Sequence, residues 1–133
     1  MGVPEYEIVL RINSFRAQHG LAPLRPSWAL TSAAHAHSVD MALRRYYGHN
    51  TLNGWAWNVR IKRYVRARLI GETLDLLSGG GDPAEDPSVV VSDWIRSPRH
   101  RAVMLSRGLR RIGVARTALD GGRPTFFTAD YSS

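Results

Sequence analysis

A chain of 133 residues with no cysteine and a formal net charge of +7 has the size of a single domain, residues 1–133, with enough sequence to bury a core. The missing cysteines exclude disulfides and thiolate metal ligands and leave the redox compartment open, because an exported bacterial domain can do without bridges. No apolar stretch approaches the ~18 residues of a membrane span, and Met1-Gly-Val-Pro-Glu-Tyr6 has neither the basic nor the apolar region of a signal peptide.

The first helix is expected from about Glu5 to His19, where Ile8, Val9, Ile12 and Phe15 recur at helical spacing and Gly20 closes it as a left-handed cap. His19 then lies beside the last carbonyls. Pro23 and Pro26 stiffen the connection to a second helix, which begins at Ser27 and runs to about Tyr46 with Leu30, Ala34, His37 and Met41 on one face. His35 and His37 point about 200° apart on such a helix and cannot share a metal, so one of them is a core or boundary histidine.

Gly48-His49-Asn50 ends that helix. A loop with Asn53-Gly54, Trp55 and Trp57 follows, and then a short basic helix near Val59 to Arg66. The paired tryptophans read as core aromatics under a loop rather than as the lining of a groove. The run from Gly79 to Pro87 is a flexible loop ending in an Asp86 N-cap, ahead of a helix over Val89 to Arg96 whose Trp94 is expected in the core. Ser97-Pro98 restarts the chain as another short helix. Arg111 to Thr117 and Pro124 to Tyr131 alternate as strands, joined by the hairpin signal Leu119-Asp-Gly-Gly122.

Lys62 is the single lysine, so the positive charge is almost wholly arginine. It gathers in Arg60, Lys62, Arg63, Arg66 and Arg68, and in Arg96, Arg99, Arg101, Arg107, Arg110 and Arg111. Such runs are usually solvated faces, and they attract an anionic polymer or an acidic lipid surface. Nucleic acid is disfavoured as a partner, because no zinc knuckle, helix-turn-helix or aromatic-interleaved sheet motif accompanies the charge.

Three segments carry the chemistry: Tyr47-Gly-His49-Asn50, Ile70-Gly-Glu72-Thr-Leu74 and Ser97-Pro-Arg-His100-Arg101. A glycine precedes both His49 and Glu72 and is read as a tight backbone turn. Two imidazoles and one carboxylate on separate segments can form an open metal site, with Glu72 either a third ligand or a partner that orients a ring. A zinc-bound water has its pKa lowered to roughly 7, so hydrolysis is chemically available there. Ser97, before a proline at a helix start, reads as a cap rather than a nucleophile.

Taken in order, Gly48-His49, Gly71-Glu72, Trp94 with Ser97-Pro98-Arg99-His100-Arg101, and Ile112-Gly-Val resemble the CAP superfamily, also called the SCP domain, in its bacterial cysteine-free branch. The resemblance implies an α+β fold, a three-layer α-β-α sandwich around a central antiparallel sheet, with a cleft holding two histidines and two acids. His49 and His100 match the histidines, which in several members bind a divalent cation such as zinc, and Glu72 matches the first acid. The second glutamate falls on Ser97, the asparagine after the first is Thr73, and the glycine before the second histidine is Arg99. These departures point away from any activity that needs two carboxylates.

The expectation is an extracellular or envelope-associated binding module, monomeric by default, holding a lipid, a glycan or an anionic cell-envelope polymer at the His49/His100 cleft. Two alternatives stay open: a metal-dependent hydrolase with His49, Glu72 and His100 as its catalytic group, and a protein-interaction scaffold.

Overall fold

The computed structural model describes residues 1–119 and 122–133. Helix α1 (Val3–Gln18) has Pro4 in its first turn and buries Ile8, Val9, Ile12 and Phe15. Gly20, at φ +71°, turns the chain away, and His19 donates from Nδ1 to the Phe15 carbonyl at 2.9 Å, as the cap reading requires. Strand β1 (Arg25–Pro26) leads to Ser27, whose hydroxyl caps α2 (Trp28–Arg44) by accepting from the Leu30 N–H. The face of Leu30, Ala34, His37 and Met41 is buried, whereas His35 is exposed.

Helix α2 ends earlier than expected. Arg45, at φ 57°, takes the left-handed position, and the Gly48 segment is a separate bend. Helix α3 (Trp57–Lys62) starts sooner and is shorter than the basic run suggests. Strand β2 (Ile70–Leu77) was not anticipated: Glu72, Thr73 and Asp75 interrupt the apolar alternation that marks a strand. Gly71 is therefore no turn. It sits in β2 because an added Cβ would lie 2.8 Å from the Val103 Cγ1 of the helix packed above it.

Asp82 caps a 3-10 turn (Pro83–Glu85), and α4 (Asp86–Arg96) begins three residues before Val89. Asp86 lies inside that helix rather than capping it, and its carboxylate accepts from both terminal nitrogens of Arg123 at 2.9 Å. Helix α5 (Pro98–Met104) follows Ser97, whose side chain makes no capping hydrogen bond; Pro98 supplies the helical φ without one. Strands β3 (Arg111–Ala118) and β4 (Thr125–Ser132) pair antiparallel from Arg111 opposite Ser132 to Ala118 opposite Thr125. Their expected connection includes residues 120 and 121, which lie outside the described residues.

The sheet order is β1-β3-β4-β2, with the three long strands antiparallel and β1 added in parallel at one edge. Side chains alternate across it. Ile112, Val114, Phe127, Ala129 and Tyr131 meet α1, α4 and α5 in the larger core, and Leu74 and Phe126 pack with Met41 and Ala42 of α2 on the other face. This is the three-layer α-β-α sandwich expected. Gly113 sets how closely α2 approaches, because a Cβ there would lie 2.0 Å from the Thr31 backbone nitrogen. Trp94 is fully buried and donates from Nε1 to the Leu74 carbonyl at 2.9 Å, so α4 is bound to the strand that carries Glu72.

Candidate functional site

Glu72 projects from β2 directly opposite Asp130 of β4, on the face that α2 and α3 cover. Two carboxylates in one cross-strand pair repel unless a cation joins them or one is neutral. Both remedies are present. Arg60 of α3 is buried and donates from Nη2 to the two oxygens of Glu72 at 2.8 and 2.6 Å, with its Nη1 3.9 Å from Asp130. Burial and the Glu72 charge push the Asp130 carboxyl well above its ordinary range, toward the neutral form. Burial also works against the Glu72 charge, but the His49 ring, the facing Asp130 carboxyl and Arg60 outweigh it and hold Glu72 below its ordinary value.

The same guanidinium fixes the next segment. Arg60 Nη2 donates to the His49 carbonyl at 2.9 Å, and His37 of α2 donates from Nε2 to the Gly48 carbonyl at 2.8 Å. Between them the backbone of Gly48 and His49 is held in place. The His49 ring then donates from Nδ1 to Glu72 Oε1 at 2.8 Å. The Glu72 side chain is 1% exposed and that of His49 45%, so the carboxylate is an anchor and the ring is the group presented outward. In the neutral ring this bond leaves the lone pair on Nε2.

The outward side is a cleft of about 430 Å³, lined by His49, Glu72, Trp57, Ser97, Arg99 and His100 among others. His100 enters from α5. Burial, helped by the charge of the neighbouring His49, holds its pKa below the ordinary histidine value, which favours the neutral ring a metal needs. The three residues picked out from the sequence thus border one cavity. Both Glu72 oxygens already accept hydrogen bonds, Oε1 from His49 and Arg60 and Oε2 from Arg60. Among the described residues no group of three His, Asp or Glu side chains is placed to hold a metal ion. His49 and His100 are the two imidazoles that line the cleft.

Several expectations are corrected here. Arg60 belongs not to a solvated basic face but to the core of the site, at 8% exposure. Trp55 is 41% exposed with the Arg63 guanidinium over its ring, and Trp57 borders the cleft with its ring 6.4 Å from that of His49, so neither is a core residue beneath the loop. Asp130 and His37 complete the support. Asp130, an acid inside the apolar run Phe126 to Tyr131, was the available signal for Arg60, because a buried acid at an inward position needs a cation or a proton.

Comparison with known proteins agrees with this fold. A model of the CAP family, described as the cysteine-rich secretory protein family, matches residues 9–131. The uncharacterized protein YkwD of Bacillus subtilis is 29% identical over 111 residues, covering 83% of this chain and 41% of YkwD. An extracellular protein of Bacillus anthracis containing an SCP domain superposes with a TM-score of 0.81 at 23% identity, over 97% of this chain and 40% of that one. An outer surface protein of Borrelia burgdorferi gives 0.84 at 21% identity, over 98% and 92% of the two chains. NaASP2, whose crystal structure contains Zn2+, gives 0.68 at 12% identity over 98% and 80%. These structural likenesses establish the shared fold, and the chain spans about two fifths of the length of YkwD. With the family model matched from residue 9 to residue 131 and no cysteine at any position, the chain belongs to the CAP family, in its cysteine-free bacterial branch.

Proposed function

We propose that the chain is an extracellular binding module in which His49 and His100 hold a divalent cation, zinc by preference, and the arginines around the cleft hold an anionic cell-envelope polymer. The observation that carries this reading is the relay from Arg60 through Glu72 to His49. A buried, doubly anchored carboxylate grips one ring nitrogen of a half-exposed histidine, an arrangement that fixes ring orientation and raises basicity at the other nitrogen. Zinc bound there would supply a Lewis acid with coordination positions open to the ligand's oxygen atoms. The presence of Zn2+ in NaASP2 supports the choice of metal. The outer-surface and extracellular relatives support the location.

The chain's own residues divide the work. His49 and His100 present nitrogen donors, and Glu72 holds the His49 ring in its orientation through the Nδ1 hydrogen bond. Arg99, at the cleft, and Arg101, Arg107, Arg110 and Arg111 beyond it are exposed and form no ion pair with a carboxylate among the described residues. Binding is favoured over hydrolysis because Glu72 is the only carboxylate among the described residues lining the cleft, and its committed oxygens leave no free carboxylate to act as general base there. Retention on an anionic cell-wall polymer is expected to fall steeply with salt, as exposed charges are screened over about 10 Å at 0.1 M, while the zinc-loaded protein leaves generic peptides intact. Zinc-dependent peptide cleavage that disappears in His100→Ala would replace this reading with the hydrolase. Retention unchanged between low and high salt would remove the polymer.

A further inference from the structure

A second cavity, of about 570 Å³ against about 430 Å³ for the cleft, lies among α2, the loop after His49 and α3. His37 and Arg60, 1% and 8% exposed, both line it. These residues also hold the Gly48 and His49 carbonyls, so the two cavities share their supporting side chains but not their openings. Arg60 Nε and His37 Nδ1 are buried without a hydrogen-bond partner among the described residues. Unpaired buried polar atoms are unfavourable, and a polar ligand or water relieves them.

The charge of the lining is uneven. Arg44 is paired with Asp40 at 2.9 Å, and Arg60 is answered by Glu72. Arg63 forms no ion pair with a carboxylate among the described residues, and its Cζ lies 4.6 Å from the centre of the Trp55 ring. Stacking uses the face of a guanidinium and leaves its N–H edge free for a planar or tetrahedral anion. Thr51, Asn53 and Tyr64 add hydroxyl and amide groups to the same lining, and the volume lies within the ordinary range of small-molecule sites.

We propose that this cavity binds a carboxylate- or phosphate-bearing ligand of monosaccharide size, with the anionic group on the edge of Arg63 and ligand hydroxyls meeting Thr51, Asn53 and Tyr64. The site is distinct from the histidine cleft and does not depend on whether zinc binds there.

The test is nuclear magnetic resonance of the tryptophan indole N–H groups in the full chain, in a buffer containing EDTA. It is titrated separately with D-glucuronate, glucose 6-phosphate and D-glucose, and the Trp55 signal is assigned with Trp55→Phe. A saturable shift of that signal with glucuronate alone assigns a carboxylate ligand, with the sugar phosphate alone a phosphate ligand, and with both an anion site of either kind. Glucose is expected to leave the signal in place. Arg63→Gln, which removes the charge and leaves a planar polar terminus on an exposed side chain, is expected to weaken binding about tenfold, the value of a charge-assisted hydrogen bond. No saturable shift with either anion, an equal response to glucose, or unchanged affinity in a folded Arg63→Gln protein would overturn the proposal.

Discussion

Replacing Arg60 by methionine removes the guanidinium that faces two buried carboxylates while keeping an unbranched aliphatic stem. In the native protein Arg60 Nη2 donates to both Glu72 oxygens and to the His49 carbonyl, at 2.6 to 2.9 Å, and Glu72 and Asp130 are 4% and 0% exposed. Breaking such a buried pair from one side costs about 3–5 kcal/mol, and that is the loss expected at pH 7 in urea unfolding. The pH dependence identifies the cause. Native Glu72 has its pKa lowered, so its contribution to stability is present above the ordinary glutamate value of ~4.3 and lost as pH falls through the folded value. Without Arg60 one of the groups that oppose burial is gone, so the variant's folded pKa lies above the native one and its Glu72 contributes less above ~4.3. The gap between the two proteins must therefore narrow as pH falls toward about 4. A loss below about 1 kcal/mol at pH 7, or one equally large at both pH values, would refute the reasoning.

Trp94→Ala should cost about 3–5 kcal/mol through the lost burial and the cavity it leaves, with the Leu74 carbonyl also deprived of its donor; an unchanged melting temperature would remove Trp94 from the core. Asp75 is pushed up to about 8, first by burial and then by the neighbouring Asp93 carboxylate. Its contribution is full below the ordinary aspartate value of ~3.9 and is lost as pH rises toward about 8. Asp75→Asn should therefore gain stability relative to the native protein across that interval, and parallel pH–stability curves for the two would contradict the assignment.

The parts of the fold legible in the sequence are those where one physical signal dominates. Helices α1 and α2 carry clean apolar stripes with Gly20 and Ser27 at their ends, and β3 and β4 alternate around their connection. Strand β2 stayed hidden because it builds the site: Glu72 and Asp75 stand at positions where alternation alone favours apolar side chains. The candidate site was legible through its two histidines and Glu72, which motif order marks. Its support was not, because Arg60 looks in sequence like its neighbours Lys62 and Arg63, and only the register that sets Glu72 opposite Asp130 shows why an arginine must enter there. Trp55 was misread for a related reason, since an exposed tryptophan stacked under an arginine has the same local sequence as a buried one.

The most direct test of the central claim, that His49 and His100 converge on one cation under the control of Glu72, is calorimetric titration of zinc into the native protein, the two single histidine-to-alanine variants and Glu72→Gln at pH 7. About one ion per chain is expected, with binding largely abolished by either histidine substitution and weakened roughly 10- to 100-fold by Glu72→Gln, as for an orienting partner rather than a ligand. Absence of zinc binding to the native protein, or binding that survives replacement of both His49 and His100, would contradict the account.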